Sequence, residues 1–295
     1  MSEERKPESG SREGDFDSSV TDARPFRSSN QVAPEPQVLQ QLVAPNPGCK
    51  LRDEEYNMTH DRRGLALIFN HYRFQDIRLQ ERTGTQKDCD DLSEVLRNLG
   101  FDVEIYHDLT YRDIRNKLEE VRTMNHIDAD CLLVAVMTHG KEGLLHANDI
   151  PYPVSLLWAN FVGEKCLSLV GKPKIFIIQA CRGGMLDKGV PVAMERDSHP
   201  NSYVLPTHSD VLIVQSAPEG HASWRNEHSG SCFIQALVQE LKDLGRTRDL
   251  LSILTFVNQR VAIDYQSSNK EVPDFDKKKI IPSFTSMLTR LVYFR

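Results

Sequence analysis

The 295-residue sequence lacks a surplus of positive charge, a long apolar run and any closely spaced pair of cysteines. Its 36 Lys and Arg residues are outnumbered by 42 Asp and Glu residues, and the resulting net charge of -6 argues against binding to nucleic acid or an anionic membrane. No stretch reaches the ~18 consecutive apolar residues of a membrane span. The charged start MSEERKPESG also differs from a signal peptide. We therefore expect a soluble, cytoplasmic protein.

The six cysteines include no C-x-x-C pair and lie far apart in the sequence. This spacing argues against a disulfide scaffold and against a zinc site, so we expect neither a metal nor a cofactor. Most free cysteines are inert, buried residues. The chemical question is whether one of the six differs from the others, which are Cys49, Cys89, Cys131, Cys166, Cys181 and Cys232.

The opening stretch as far as Cys49 is poor in large apolar side chains and holds six of the 15 prolines. Such a composition cannot bury enough apolar surface to offset the entropy lost on ordering. From Arg63 onward, apolar runs begin. We predict a disordered tail over residues 1–55 and one folded domain over residues 56–295.

Apolar patterning in the domain predicts strands alternating with helices. Continuous apolar runs predict buried strands over 64–70, 131–137, 174–178 and 211–215, with further strands over 101–106 and 287–294. Apolar residues at helical spacing predict four helices, with stripes over 92–99, 114–121, 233–244 and 250–261. Thr110 is placed to cap the second of these helices. The alternation predicts an α/β fold around a mostly parallel sheet.

Two of the predicted buried strands are followed closely by residues that suit nucleophilic catalysis. His139 follows the strand over 131–137, and Cys181 follows the strand over 174–178. Because binding sites in open α/β sheets form at the carboxyl ends of the strands, we expect these side chains to lie close together. A thiol of pKa ~8.5 needs a basic or positive neighbour to become an effective thiolate. Gly140 and the turn at Cys181 could also present backbone N–H groups to an oxyanion.

The residues around Cys181 match a known signature. Gln179-Ala180-Cys181-Arg182-Gly183 is the caspase pattern, and His139 lies 42 residues upstream of Cys181. The sequence therefore resembles the caspase family of cysteine proteases, in particular its effector (executioner) type with a short prodomain. Further matching stretches occur in caspase order: Arg82-Thr83-Gly84-Thr85, Thr138-His139-Gly140, Gly171-Lys172-Pro173-Lys174, Ser223-Trp224-Arg225-Asn226, and Ile281-Pro282 followed by Thr285-Ser286-Met287-Leu288-Thr289.

The resemblance implies a fold and a catalytic mechanism. The fold would be the caspase-like three-layer α/β fold, a central mostly parallel sheet flanked by helices. Cys181 would be the nucleophile and His139 the general acid and base, with the N–H groups of Gly140 and Cys181 stabilising the oxyanion. A backbone carbonyl near Gln80 would orient His139, because caspases lack a third catalytic side chain.

The resemblance also places Arg82, Gln179 and Arg225 in the pocket for the substrate's Asp side chain. Two guanidinium groups can clamp one carboxylate, and their charges stay uncompensated when the acid is absent. The other substrate-binding residues implied by the resemblance are Ser223, Trp224 and Asn226.

Two residues depart from the effector pattern. Ala222 stands where these caspases commonly carry a tyrosine, and Cys232 stands where they carry a tryptophan. Both lost aromatic side chains would help to wall the pockets for the second and fourth residues before the cut. We expect those pockets to be wider or softer, although Asn226 still matches a residue that contacts the fourth one.

Two Asp residues in polar stretches are candidate processing sites. Cleavage after Asp197 would separate a large subunit of about 23–197 from a small subunit of about 198–295. Cleavage after Asp22 would remove the tail, with Asp17 as the second choice.

What the resemblance implies about function is an endopeptidase that cleaves after Asp, is made as a zymogen and acts in apoptosis. Its partners would be protein substrates, a second large/small subunit pair, an upstream initiator caspase and inhibitor-of-apoptosis proteins. The homodimer would form through the predicted last strand, Met287 to Phe294, whose exposed edge would otherwise favour aggregation.

Two other functions remain open from the sequence. The first is a catalytically weak or inactive caspase homologue that acts as a regulatory binding partner, a hypothesis supported by Ala222 and Cys232. The second is a relative with the same Cys and His pair that cuts after Arg or Lys. This second function needs an acidic specificity pocket, whereas Arg82 and Arg225 are basic.

Overall fold

A computed structural model describes residues 53–183, 208–267 and 276–295, all of which belong to one compact unit, Val43–Arg295. The predicted processing sites Asp22 and Asp197 lie outside these described residues. No helix within the described ranges is long and apolar enough to cross a membrane.

The chain forms eleven strands and five α-helices within the described residues. The strands are β1 (Leu65–Asn70), β2 (Asp102–His107), β3 (Leu132–Met137), β4 (Gly140–Lys141), β5 (Leu144–His146), β6 (Pro151–Pro153), β7 (Lys174–Gln179), β8 (Val211–Gln215), β9 (Arg225–Asn226), β10 (Gly230–Ser231) and β11 (Ser283–Ser286). The helices are α1 (Thr85–Asn98), α2 (Tyr111–Thr123), α3 (Leu156–Ala159), α4 (Cys232–Leu244) and α5 (Leu250–Asp264).

A six-stranded sheet in the order β11-β8-β7-β3-β1-β2 forms the centre of the fold. The neighbouring pairs from β2 to β8 are parallel, and β11 pairs antiparallel with β8. All residues of β3 and β7 are buried, which is why both appear as continuous apolar runs in the sequence. The α/β fold with a mostly parallel sheet is therefore confirmed.

Successive side chains along each strand point to opposite faces of the sheet. Helices cover both faces and bury the apolar side chains there. In β3, Leu133 and Ala135 join the core under α1, α4 and α5, whereas Leu132 and Val134 join the core under α2 and α3. The two apolar cores make three layers, as the resemblance implied.

The predicted helix cap at Thr110 is confirmed. Its hydroxyl accepts a hydrogen bond from the N–H of Asp113 at 3.3 Å, at the start of α2. Ile114, Leu118 and Val121 form the buried side of this helix, because they recur at helical spacing.

The predicted last strand over Met287 to Phe294 is wrong. The strand that closes the sheet is β11. Met287 still makes main-chain hydrogen bonds with Val211 and Asp210, and the chain leaves the sheet after it. The carbonyl of Val292 accepts a hydrogen bond from the N–H of Leu250 at 2.9 Å, and Val292 and Phe294 are buried in the core that contains α4 and α5. The alternating apolar residues therefore serve packing against helices, not pairing in the sheet.

Candidate active site

The site is built where β3 and β7 end side by side. The two strands are parallel neighbours, with Met137 paired to Gln179, so His139 and Cys181 emerge at the same edge of the sheet. Gly140 lies close to the main chain at Cys181, since a Cβ atom built on Gly140 would lie 2.6 Å from the carbonyl oxygen of Cys181. The structure therefore brings His139, Gly140 and Cys181 together, as the sequence predicts.

The ring of His139 is held by its neighbours in one orientation. Its Nε2 lies 2.7 Å from the carbonyl oxygen of Gln80, and its ring packs against Phe74 with a centroid distance of 4.9 Å. Because a carbonyl can only accept, this bond places the proton on Nε2 and leaves Nδ1 with a lone pair. The Gln80 carbonyl thus takes the place that the resemblance gave it.

Burial lowers the pKa of His139, and the positive charges of Arg82 and Arg225 lower it further. The hydrogen bond to the Gln80 carbonyl opposes this change. The imidazole therefore stays neutral at a lower pH than an exposed histidine would, which suits a group that must take up a proton.

Cys181 differs from the other described cysteines in its surroundings. It is half-buried, and its Sγ accepts a hydrogen bond from the N–H of Ser223 at 3.3 Å. The remaining described thiols have their pKa raised by burial, as for Cys89, Cys131, Cys166 and Cys232. Only Cys181 among them lies at the sheet edge beside His139.

Arg82 and Gln179 place unpaired polar atoms in a buried pocket beside this pair. The guanidinium of Arg82 is 1% exposed, and one of its nitrogens donates to the His71 carbonyl at 2.9 Å and to the Thr85 hydroxyl at 2.7 Å. The Nε and Nη2 atoms of Arg82 and the Oε1 atom of Gln179 have no hydrogen-bond partner in the part of the chain that the structure describes. Such groups are costly to bury, so a ligand that pairs with the two guanidinium donors would stabilise the pocket.

A second cation completes this pocket. The Nε of Arg225 donates to the carbonyl of Thr83 at 2.6 Å, which ties β9 to the loop before α1. Burial, followed by the charge of Arg225, lowers the pKa of Arg82 to about 9. Among the nearby charges, the Asp88 carboxylate most strongly opposes the lowering of the pKa of both arginines. Two desolvated cations whose charges act on each other favour an anionic guest, and guanidinium groups pair well with a carboxylate.

A groove lies along the extended segment that ends in β9. It has a volume of about 440 Å³, and its lining includes Trp224, Arg225 and Asn226 from that segment and Tyr265 from the end of α5. The side-chain oxygen of Asn226 accepts from the N–H groups of the following turn. Trp224 and Asn226 therefore line the groove. The hydroxyl of Ser223 accepts a hydrogen bond from the side-chain amide of Gln179 at 2.9 Å.

Three groups of the site were missed by the sequence analysis. They are the ring of Phe74 against His139, the carbonyl of Thr83 that accepts from Arg225, and Tyr265 in the groove. Thr83 lies within a motif that the sequence singled out, but a main-chain acceptor leaves no signal in residue type. Within 53–183, 208–267 and 276–295, no group of three or more His, Cys, Asp or Glu side chains is placed to hold a metal ion.

Comparison with known proteins gives one consistent family. The family model described as "Caspase domain" matches residues 63–293. The chain is 47% identical over 241 residues to Caspase-1 of Spodoptera frugiperda, which covers 81% of each chain. It is 45% identical over 244 residues to Caspase drICE of Drosophila melanogaster, which covers 81% of this chain and 72% of that protein. The crystal structure of Caspase-1 from Spodoptera frugiperda is similar with a TM-score of 0.79 at 45% identity, covering 83% of this chain and 97% of that one.

Proposed function

Because the chain belongs to the caspase family, as an Asp-specific cysteine endopeptidase of the effector type, we propose that it is made as a zymogen and acts in apoptosis. The observation that carries the proposed catalytic roles is the juxtaposition of His139 and Cys181 with the arginine pocket at one sheet edge. This arrangement supplies a nucleophile, a proton acceptor and a site for an acid within reach of one peptide bond.

The proposed reaction begins with attack of the Cys181 sulfur on the main-chain carbonyl carbon of the substrate's Asp residue. The N–H groups of Gly140 and Cys181 stabilise the oxyanion of the tetrahedral intermediate. His139 holds the thiol proton and passes it to the leaving amine as the C–N bond breaks. Water then attacks the thioester, His139 takes a proton from it, and the acid product leaves with the thiol restored.

Arg82, Gln179 and Arg225 are proposed to select Asp at the cut. The carboxylate would accept hydrogen bonds from the donors of Arg82 that lack partners among the described residues. A neutral side chain would leave these buried cations uncompensated, and a longer acid would move the peptide bond away from Cys181. Ser223, Trp224 and Asn226 would contact the residues before the Asp.

Processing is proposed to occur after Asp197, between the subunits of about 23–197 and 198–295, and after Asp22 in the tail of 1–55. These sites lie outside the described residues and rest on the sequence. The predicted tail of 1–55 includes two residues that contact the other end of the chain. The carbonyl of Glu54 accepts a hydrogen bond from the N–H of Leu291, and the carboxylate of Glu55 pairs with Arg295. Intact-mass analysis and N-terminal sequencing of the active protein test both sites, and a boundary after Asp187 or Asp17 would contradict them.

The proposed partners are protein substrates, a second copy of the subunit pair, an upstream initiator caspase and inhibitor-of-apoptosis proteins, all in the cytoplasm. The second copy would pair along the outer edge of β11, which ends the sheet order. A monomeric active form in analytical ultracentrifugation would contradict the homodimer.

Catalysis is tested with fluorogenic peptides that differ only in the residue at the cut, with wild type and Cys181→Ala. We expect cleavage after Asp and not after Asn, Glu or Lys, and a loss of at least about 10³-fold in Cys181→Ala. Cys166→Ala is the matched control, since Cys166 lies in the core away from the sheet edge. No cleavage by the processed wild-type dimer would favour the inactive, regulatory homologue.

A further inference from the structure

The hydrogen bond of His139 does not by itself fix the plane of its ring. The torsion about the Cβ–Cγ bond of a histidine has a broad energy profile, so the side chain sets no sharp ring plane of its own. The atom that meets the Gln80 carbonyl at 2.7 Å is Nε2, at the far end of the ring. Rotation about the Cβ–Cγ bond moves Nδ1 further than Nε2, because Nδ1 lies further from the axis of that bond. A second contact is needed to hold Nδ1 in place.

The ring of Phe74 supplies this second contact. Its centroid lies 4.9 Å from that of the His139 ring, with an angle of 47° between the two planes. Phe74 also stacks on His71, with a centroid distance of 6.2 Å and an angle of 27°. His71 is fully buried, so Phe74 packs against the core as well as against His139. The Phe74 ring carries no charge and no hydrogen-bonding group, and its influence on His139 is therefore one of placement.

Hydrogen bonds hold the loop that carries Phe74. The loop runs from the end of β1 to the start of α1 and contains no helix or strand, so its backbone polar groups need other partners. Asn148 binds the main chain on both sides of Phe74. The Asn148 carbonyl accepts from the N–H of Gln75 at 2.7 Å, and the Asn148 Nδ2 donates to the carbonyl of Arg73 at 2.9 Å. The carboxylate of Asp108 accepts from the N–H of Arg73 at 2.9 Å.

Asn148 is also tied to the backbone of His139. Strand β4 begins at Gly140, directly after His139, and pairs antiparallel with β5. The last residue of β5 is His146, whose N–H donates to the carbonyl of His139 at 2.9 Å, and Asn148 follows two residues later. The contacts form a closed chain, which runs from His139 through β4 and β5 to Asn148, from there to Phe74, and from Phe74 back to the His139 ring.

We propose that Phe74 is a positioning residue that sets the plane of the His139 ring, and that Asn148 holds Phe74 in place. This inference rests on the proposed function for the chemistry of His139, whereas the orientation of the ring does not depend on catalysis. A ring that turns out of this plane presents Nδ1 at the wrong angle to the thiol of Cys181 and to the leaving amine. Such misplacement slows the chemical step. It leaves substrate binding unaffected, because the arginine pocket is built from other residues.

The kinetic test uses Phe74→Leu, which keeps an apolar side chain and removes the flat ring. We expect kcat for an Asp peptide to fall by about ten- to a hundredfold, with KM changed by less than about threefold. Phe74→Tyr restores an aromatic ring and should return kcat to within about threefold of wild type. Phe256→Leu is the matched control, because Phe256 is exposed on α5, and it should leave kcat unchanged.

A second variant, Asn148→Ala, tests the support of Phe74 while the Phe74 ring itself stays. The substitution removes the hydrogen bond to the Arg73 carbonyl and keeps the one from the Gln75 N–H. We therefore expect a smaller fall in kcat, by about three- to tenfold, again with KM retained. Asn160→Ala is its control, since it removes a side-chain hydrogen bond to Glu119 instead, and it should leave kcat unchanged.

Histidine-selective 15N NMR at a pH of about 8, where the His139 ring is neutral, measures the ring without any cleavage. Wild type should show one form with the proton on Nε2, and Phe74→Leu should show both neutral forms, with the signals identified by their loss in His139→Asn. Two forms in Phe74→Leu without cleavage by wild type would support the positioning role and contradict the catalytic proposal alone. A single Nε2-protonated form in Phe74→Leu, or a loss of kcat that Phe74→Tyr does not recover, would overturn the role of Phe74.

Discussion

At the scale of single residues, burial controls the protonation of two histidines beside the candidate active site. His139 is half-buried against the Gln80 carbonyl, whereas His71 is fully buried with no hydrogen-bond partner for either ring nitrogen among the described residues. In both cases loss of water disfavours the charged ring and lowers the pKa. We expect the consequence for His139 in activity and that for His71 in stability, because of the two only His139 lies beside Cys181.

The acid limb of the pH profile should report His139. Its lowered pKa keeps the imidazole neutral, and thus able to accept a proton, below the usual midpoint of about 6.5. We expect kcat/KM for an Asp peptide to fall to half at a pH below about 6.5, since kcat/KM titrates the free enzyme.

The control for this titration is His146→Asn, which removes a neighbouring histidine whose charge also lowers the pKa of His139. The acid limb should persist in this variant, with its midpoint unchanged or slightly higher. A wild-type midpoint above about 6.5, or an acid limb that disappears in His146→Asn, would contradict the assignment to His139.

His71 should make the protein less stable as the pH falls, whereas a salt-bridged histidine makes a protein less stable as the pH rises. Burial holds its pKa at about 4 in the folded protein, against about 6.5 when unfolded. Between these values only the unfolded chain takes up the proton, so the stability contributed by His71 is intact above a pH of about 6.5 and is lost as pH falls toward 4. The loss amounts to about 2 kcal/mol at a pH of about 5.

The measurement is the free energy of unfolding in urea at a pH of about 7 and of about 5, for wild type and for His71→Leu. Wild type should lose about 2 kcal/mol more than the variant between the two pH values. His228→Asn, on an exposed turn, is the control and should behave as wild type. An identical loss in His71→Leu would show that other groups cause it.

At the scale of elements, the ends of β3 and β7 are held so close that only a glycine fits between them. Gly140 begins β4, and a Cβ atom there would lie 2.6 Å from the Cys181 carbonyl oxygen and 3.0 Å from the Cβ of Ala180. The backbone of Gly140 itself is not left-handed, so the constraint comes from the neighbouring turn. The element pair therefore fixes where the proposed oxyanion donors lie.

Gly140→Ala should reduce kcat by about 10²-fold or more, because the turn at Cys181 must shift to accept the methyl group. Gly143→Ala is the matched control, since Gly143 has a φ of 70° but a methyl group on it would meet nothing within 4 Å. The control should lose about 1 kcal/mol of stability from backbone strain with kcat retained. Single-turnover rates and urea unfolding distinguish the two effects, and equal rates in both variants would rule out the steric constraint.

At the scale of the whole molecule, the two predicted subunits share one sheet and one polar cluster. Strand β7 precedes the predicted cut and β8 follows it, and the two pair in parallel register. Tyr56 donates to the carboxylate of Asp210 at 2.7 Å and accepts from the N–H of Thr289 at 2.9 Å. Burial and the nearby Asp210 raise the pKa of Tyr56, which keeps its hydroxyl protonated. Residues from both ends of the chain are thus joined across the predicted subunit boundary.

The cleaved protein should therefore stay associated and should unfold with a midpoint that depends on protein concentration. Tyr56→Phe should lower stability by about 1–3 kcal/mol, because it leaves the Asp210 carboxylate and the Thr289 N–H short of a partner. Tyr293→Phe is the control, as the Tyr293 hydroxyl makes no hydrogen bond within the described residues. Urea unfolding of cleaved and uncleaved protein at several concentrations measures both effects. Subunits that separate without denaturant would contradict the shared sheet.

Much of the fold was predictable from the sequence, because its causes are local. A run of apolar residues such as β3 or β7 can only be buried on both faces, and Thr110 can cap a helix from its own side chain. The identities of His139 and Cys181, and their place after neighbouring strands, also followed from local pattern and from motif. These residues carry the proposed catalytic chemistry.

The tertiary structure decided which distant groups meet. The sulfur of Cys181 bonds Ser223, 42 residues away, and Arg225 bonds the main chain of Thr83, 142 residues away. It also decided that Val292 and Phe294 pack under helices while β11 closes the sheet. The physical reason is that an apolar alternation specifies that a residue is buried, whereas the partner that buries it depends on competition among all surfaces of the folded chain.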